Sequence, residues 1–196
     1  MDEEKNQEPT PETTGTFTVK KLALILGALA LLVVTVYAPV FFPNKPAYDQ
    51  HVGVALADST ILDDKGAQYS LLRVVDQPPY AGKKLIFSFW ATWCQPCIRE
   101  LPMMAQQRAR FEKDNTKLVL VNFDGPPFAK TRHEVGEWFK SNGIALTTFF
   151  DIKDTILEKY DISGLPFTMG VGRDRIIQWM RLGELDWEDQ EIKVKD

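Results

Sequence analysis

The chain has 196 residues, of which 44% are hydrophobic and 26% charged, with a formal net charge of −4. This length suits one domain with accessory segments, the apolar share is that of a globular chain, and the acidic balance argues against nucleic acid as a partner. Only two cysteines are present, and no internal repeat is visible.

Residues 1–21 open with an acidic, Pro- and Thr-containing stretch (Asp2, Glu3, Glu4, Glu8, Pro9, Pro11, Glu12). It cannot bury enough apolar surface to order itself, so a disordered cytoplasmic tail is expected. Leu22 to Phe42 carries no charge over about 21 residues; as a helix it spans roughly 31 Å, one hydrocarbon core. Lys20 and Lys21 immediately precede it and favour a cytoplasmic N-terminus with the rest exported. Residues 22–42 are therefore predicted to be a transmembrane anchor. A cleaved signal peptide fits less well, because a long acidic region precedes Lys20 and the small-x-small triplet Ala55-Leu56-Ala57 lies too far beyond the apolar run. Pro39, Pro43 and Pro46 end the helix and open a linker, residues 43–60, with Tyr48 and His51 as surface residues.

The remainder, 61–196, is predicted to be one α/β domain. Asp63-Asp64-Lys65-Gly66 lies between short apolar runs and predicts a hairpin over 61–71; Pro78 to Gly82 is a loop. Leu85 to Trp90 predicts a central strand. A helix follows to about Lys113, kinked at Pro102, with Met103, Met104 and Phe111 towards the core. Leu118 to Phe123 is expected as a buried parallel strand. A loop at Asp124 to Pro127 precedes a helix over 131–142, with Val135, Trp138 and Phe139 on its apolar face and Gly143 as its C-cap. A short strand at 147–150 and a short helix at 155–160 come next. Met169 to Gly172 and Ile176 to Met180 flank Arg173-Asp174-Arg175 as a hairpin. Past Gly183 only a short acidic helix, about Trp187 to Ile192, is expected, so one side of the sheet is thinly covered or meets a partner.

Both cysteines lie at the junction of the central strand and its helix, in Trp93-Cys94-Gln95-Pro96-Cys97. A Cys-x-x-Cys pair beside a βαβ pattern reads as a redox motif. The unpaired N–H groups and positive dipole end of a helix start favour a thiolate at Cys94. The attack rate rises only a few-fold, because nucleophilicity falls with pKa; the larger gain is a better leaving group when a mixed disulfide resolves. Cys97 lies one turn on, within reach of Cys94, and Pro96 stiffens the helix start. A purely structural disulfide here would close a four-residue loop, worth about 2 kcal/mol. A zinc site would need two further ligands, and His51 and His133 lack the spacing. Glu100, three residues after Cys97, shares its helical face; burial would bring its pKa towards the working range.

Trp90-Ala91-Thr92-Trp93-Cys94-Gln95-Pro96-Cys97, followed by Glu100-Leu101-Pro102 and later by Leu165-Pro166, resembles the thioredoxin superfamily. Within it, the chain is similar to the membrane-anchored TlpA/ResA-like thiol-disulfide oxidoreductases over about Leu62 to Leu182. The resemblance implies a thioredoxin-like fold: a central mixed sheet flanked by helices, with an added N-terminal hairpin and one N-terminal transmembrane helix. It implies a cis-proline at Pro166 opposite the dithiol, offering no N–H to the sulfurs and leaving the Leu165 backbone free to pair with a substrate strand. In thioredoxins a buried aspartate relays protons at the position of Ser88; serine cannot do so at neutral pH, and Glu100 resembles the ResA-like acid/base instead. Two features depart from the pattern: Phe167 replaces a small or hydroxyl residue, and the glycine of an Asp-x-x-Gly turn between the last two strands is missing.

The implied activity is thiol-disulfide exchange outside the cytoplasm, from the inner membrane towards the periplasm or cell exterior. Cys94 attacks, Cys97 resolves, Glu100 shuttles the proton, and Trp93, Leu165 and Pro166 shape the substrate contact. No cofactor is called for beyond the redox-active Cys94–Cys97 pair. The partners implied are protein disulfides or dithiols and a membrane thiol donor. ResA-like proteins are reductases acting in cytochrome c maturation on apocytochrome c, or on copper-site cysteines. A dithiol oxidase, or a membrane-anchored assembly module with a dispensable dithiol, is the alternative.

Overall fold

Every residue of Lys84–Trp90 is buried, because both faces of this strand are covered. Leu85, Phe87 and Phe89 enter one core, with Leu71, Val75, Val119, Val121 and Ile156. Ile86 and Trp90 enter the other, with Cys97, Leu101, Met104, Leu120, Val135 and Phe139. The computed structural model describes residues 15–41, 45–124, 132–151, 153, 155–189 and 192–196. The chain divides into two units, residues 1–45 and 46–196.

The first unit contains α1, Gly15–Phe41, whose segment Val19–Tyr37 is apolar and long enough to cross a membrane. Its side chains are exposed throughout 19–37. The helix begins seven residues before Leu22, so residues 15–21, expected in the tail, are helical; the rest of that tail lies outside the described residues.

The second unit is built on a seven-stranded mixed sheet. In chain order its elements are β1 (Thr60–Leu62), β2 (Gln68–Ser70), α2 (Leu71–Val75), β3 (Lys84–Trp90), α3 (Gln95–Lys113), β4 (Thr116–Asn122), α4 (Arg132–Ser141), β5 (Thr148–Phe150), α5 (Thr155–Lys159), β6 (Phe167–Val171) and β7 (Ile177–Leu182). The strand order is β2-β1-β5-β4-β3-β6-β7. β3, β4 and β5 run parallel, while β6 joins β3 antiparallel and pairs with β7. β1 and β2 form the expected added hairpin, which joins β5. α2 follows it unannounced by the sequence reading, with Ser70 Oγ capping the Arg73 N–H. α3 continues through Pro102. Gly143 ends α4 with positive φ, and the Ile144 N–H reaches back to the Phe139 carbonyl, as a helix C-cap requires.

Two segments depart from expectation. Residues 46–59 are not a free linker. They form a 3-10 turn, Ala47–His51, and a bridge from Ala55 to Ile176, and Leu56 is buried. Tyr48 packs edge-on against Phe167, and His51 pairs with Asp161 at 3.0 Å. The tail after Gly183 forms no helix among the described residues. Arg110 donates to the carbonyls of Trp187, Glu188 and Asp189, which occupies acceptors a helix would need. Trp187 and Val194 are buried in the core that holds α3, so this side is covered rather than bare.

Candidate active site

The turn between β3 and α3 is fixed from the neighbouring strand. The Phe123 N–H donates to the Trp90 carbonyl at 2.8 Å, and the Thr92 N–H to Asp124 Oδ1 at 2.8 Å. Asp124 is itself held by Asn122, whose Nδ2 donates to Oδ2 at 3.2 Å. The chain thus leaves β3 in one direction, and Cys94 becomes the N-cap of α3, its Sγ accepting the Cys97 N–H at 3.3 Å. That bond and the positive end of a 19-residue helix both favour negative charge at this position.

Cys94 and Cys97 form a disulfide. Cys94 keeps 4% of its surface and Cys97 1%. Neither is openly exposed, so an incoming sulfur meets a narrow approach, wider at Cys94. Trp93, beside it, is half exposed.

Glu100 is 1% exposed and shares the buried face of α3 with Cys97, Leu101 and Met104. Loss of water raises its pKa from 4.5 to about 6. The Leu185 N–H donates to Oε1 and opposes that rise, as does the Trp187 indole, which faces the carboxyl without an ordinary hydrogen bond. Oε2 has no hydrogen-bond partner among the described residues. Such a carboxyl can change protonation near neutrality, as proton transfer to or from a thiol requires.

The Leu165–Pro166 peptide is cis. Phe89 lies opposite Phe167 in the β3–β6 register, so one residue further Pro166 lies level with Trp90, where the chain turns to the cysteines. Leu165 packs against the core that contains Cys94 and Cys97. Phe167 points into the opposite core rather than to the surface, against Phe89 and Tyr48. Ser88 and Thr168 face each other across the same two strands, fully buried, their hydroxyls without partners among the described residues.

The structure therefore brings Cys94, Cys97 and Glu100 to one side of the sheet, with Leu165 packed against both cores, Pro166 level with the end of β3 and Trp93 at the surface. Three contributors were not read from the sequence. Asp124, in Asn122-Phe123-Asp124 at the end of a buried strand, offered a weak positional signal. Trp187 offered one by composition, a lone tryptophan in an acidic tail. Leu185 acts through its backbone and offered none.

A match to the AhpC/TSA family covers residues 52–180. The thiol-disulfide oxidoreductase ResA of Geobacillus kaustophilus is 28% identical over 173 residues, covering 88% of this chain and 91% of that protein. The crystal structure of StoA from Bacillus subtilis aligns with 67% of this chain and 92% of its own, at 25% identity and a TM-score of 0.53. A putative thiol:disulfide interchange protein DsbE from Chlorobium tepidum aligns over 70% and 89% with a TM-score of 0.56; at 23% identity it speaks for the fold alone. With its vicinal cysteines at a helix start on this sheet, the chain belongs to the AhpC/TSA family and is a thioredoxin-like thiol-disulfide oxidoreductase.

Proposed function

We infer that this enzyme is anchored in the cytoplasmic membrane by the apolar segment 22–42, acts outside the cytoplasm, and reduces disulfides in exported proteins. The observation that carries the reading is the Cys94–Cys97 disulfide at the start of α3 with a buried carboxyl one turn further on. The exposed apolar face of α1 supports the anchor, and Lys20 and Lys21 before it support an exported domain. The resemblance to ResA-like proteins supports substrates with paired cysteines, such as apocytochrome c or copper-site proteins.

In this reading the reduced Cys94 thiolate attacks one sulfur of a substrate disulfide. The substrate S–S bond breaks, a mixed disulfide forms at Cys94, and one substrate thiolate leaves. Cys97 gives its proton to Glu100 and attacks the Cys94 sulfur. The Cys94–Cys97 bond forms, the second substrate sulfur leaves and takes up a proton, and two electrons have passed to the substrate. A thiol donor at the membrane then restores the dithiol. Trp93 shapes the approach, the Leu165 backbone pairs with an extended substrate segment, and Pro166 presents no N–H to the sulfurs.

The midpoint potential tests the direction. A value near that of thioredoxin, about −270 mV, is expected; one near the strong oxidants, about −120 mV, would turn the reading to oxidation. Cys97→Ser should stall the mixed disulfide and trap substrates on Cys94 in cells, and capture of none would refute the assignment of the resolving cysteine.

A further inference from the structure

Glu100 does not owe its surroundings to α3 alone. The tail crosses its face of the helix, with the Leu185 N–H on Oε1 and the Trp187 ring against the carboxyl. Trp187 is 0% exposed and packs edge-on against Phe111. Arg110, lying over the same Phe111 ring, grips the carbonyls of residues 187–189. Further along, Gln178 clamps the Lys195 peptide through both its N–H and its carbonyl, and Trp179 Nε1 donates to the Lys193 carbonyl at 2.8 Å. The tail is thus held by its main chain, and its large apolar side chain is spent on the Glu100 site.

We propose that the segment 184–189 is part of the active site, with Leu185 and Trp187 as positioning residues that fix the Glu100 carboxyl on the α3 face carrying Cys97. For its consequence in turnover this rests on Glu100 being the proton shuttle; the placement itself does not. The charged groups nearest the carboxyl are Arg99 on α3 and Glu184 on the tail, which pair with each other. Their effects are opposite and smaller than that of burial. The tail therefore acts in two ways. It excludes water, which favours the neutral acid, and it directs the Leu185 N–H at Oε1 with the Trp187 indole beside the carboxyl, which favours the anion.

Two substitutions separate these actions. Trp187→Phe keeps a ring over the carboxyl but removes the indole N–H. The Glu100 midpoint should rise above about 6, because the indole N–H facing the carboxyl favours the anion. Arg110→Ala releases the carbonyls of residues 187–189, loosens the tail over Glu100 and admits water, and the midpoint should fall towards 4.5. Both are read by carbon NMR of labelled glutamate carboxyls in the full chain, in detergent and in the disulfide form, where the cysteines do not titrate. Opposite shifts support the proposal. An unchanged midpoint in folded Trp187→Phe overturns it. If Trp187→Phe does not fold, Arg110→Ala decides alone: a fall supports the proposal and no change overturns it. Failure of the shuttle reading is distinguishable, since it would appear as a wild-type exchange rate without a limb near pH 6 while the NMR titration remains.

Discussion

Replacing Glu100 by glutamine should flatten the pH dependence of stability between pH 4.5 and 8. Folding moves this carboxyl from 4.5 to about 6, with burial as the first cause. Because the folded pKa is the higher one, protonation favours the fold. That contribution is complete below about 4.5 and is lost as the pH climbs through about 6. The loss amounts to about 2 kcal/mol at pH 7 and above. The carboxyl is almost wholly buried, so water screens little of it. Asp58, Asp63, Asp161, Glu112 and Glu137 have lowered pKa values; their losses grow as the pH falls, in the opposite sense, and are common to both proteins, so comparing the two slopes removes them. Absolute stability is the wrong readout. The amide keeps an acceptor for the Leu185 N–H but can turn its NH2 towards the Trp187 N–H, leaving donors unsatisfied at about 1–3 kcal/mol. The slope is free of that cost, since the amide does not titrate. Urea unfolding of the oxidised protein, followed by tryptophan fluorescence at several pH values, measures it. Wild-type protein should lose about 2 kcal/mol between pH 4.5 and 8 that the variant does not lose. Equal slopes would mean that the carboxyl is not desolvated in solution.

The remaining predictions concern how the sheet is held. Arg175 occupies a left-handed backbone with φ of 67° where a glycine is favoured, and its guanidinium donates to the Val75 carbonyl at 2.5 Å, the Lys83 carbonyl at 3.1 Å and Asp76 at 3.0 Å. Arg175→Gly relieves about 1 kcal/mol of backbone cost but unpairs two buried-side carbonyls, so a net loss of about 2 kcal/mol is expected in urea unfolding; a gain would show that the anchors contribute nothing. A Cβ on Gly170 would stand 2.3 Å from the Trp179 ring, so Gly170→Ala should cost about 1–3 kcal/mol and loosen the Trp179 bond to Lys193, read as faster amide exchange in residues 192–196.

Local chemistry explains which features the sequence disclosed. The strand, turn and helix around Cys94 are written in adjacent residues: a β-rich run, a cap position and a proline at the first helical turn. Glu100 follows from helical spacing, and the Pro166 motif from resemblance. The tail and the segment 46–59 depend instead on backbone pairing with distant partners. Ala55 bridges Ile176, and Arg110 takes three carbonyls in 187–189. Carbonyls are the same in every residue, so no side-chain pattern at 187–189 advertises the clamp. An acidic stretch read by itself suggests a short helix, but its acceptors are already spent. Arg175 illustrates the converse. A missing glycine reads as a defect until three acceptors around the guanidinium show what holds the turn.

The register of β3 against β6 explains why two motifs about 70 residues apart arrive together. Phe89 pairs with Phe167 and Ser88 with Thr168, so the chain leaves β3 for the cysteines at the level where it enters β6 from Pro166. A slip of one residue would turn Ile86 and Trp90 into the wrong core and expose the alternation of the whole strand to the wrong face. The burial of all seven β3 residues thus fixes the level of the cis-proline turn as firmly as any contact in the site. The tail adds a third strand of the same logic. It leaves β7, which is itself registered on β6, and so delivers Leu185 and Trp187 to α3 at the height of Glu100. The dithiol, the proline and the acid are held by a single chain of pairings, and a change in any link of it should be felt at the sulfurs without touching them.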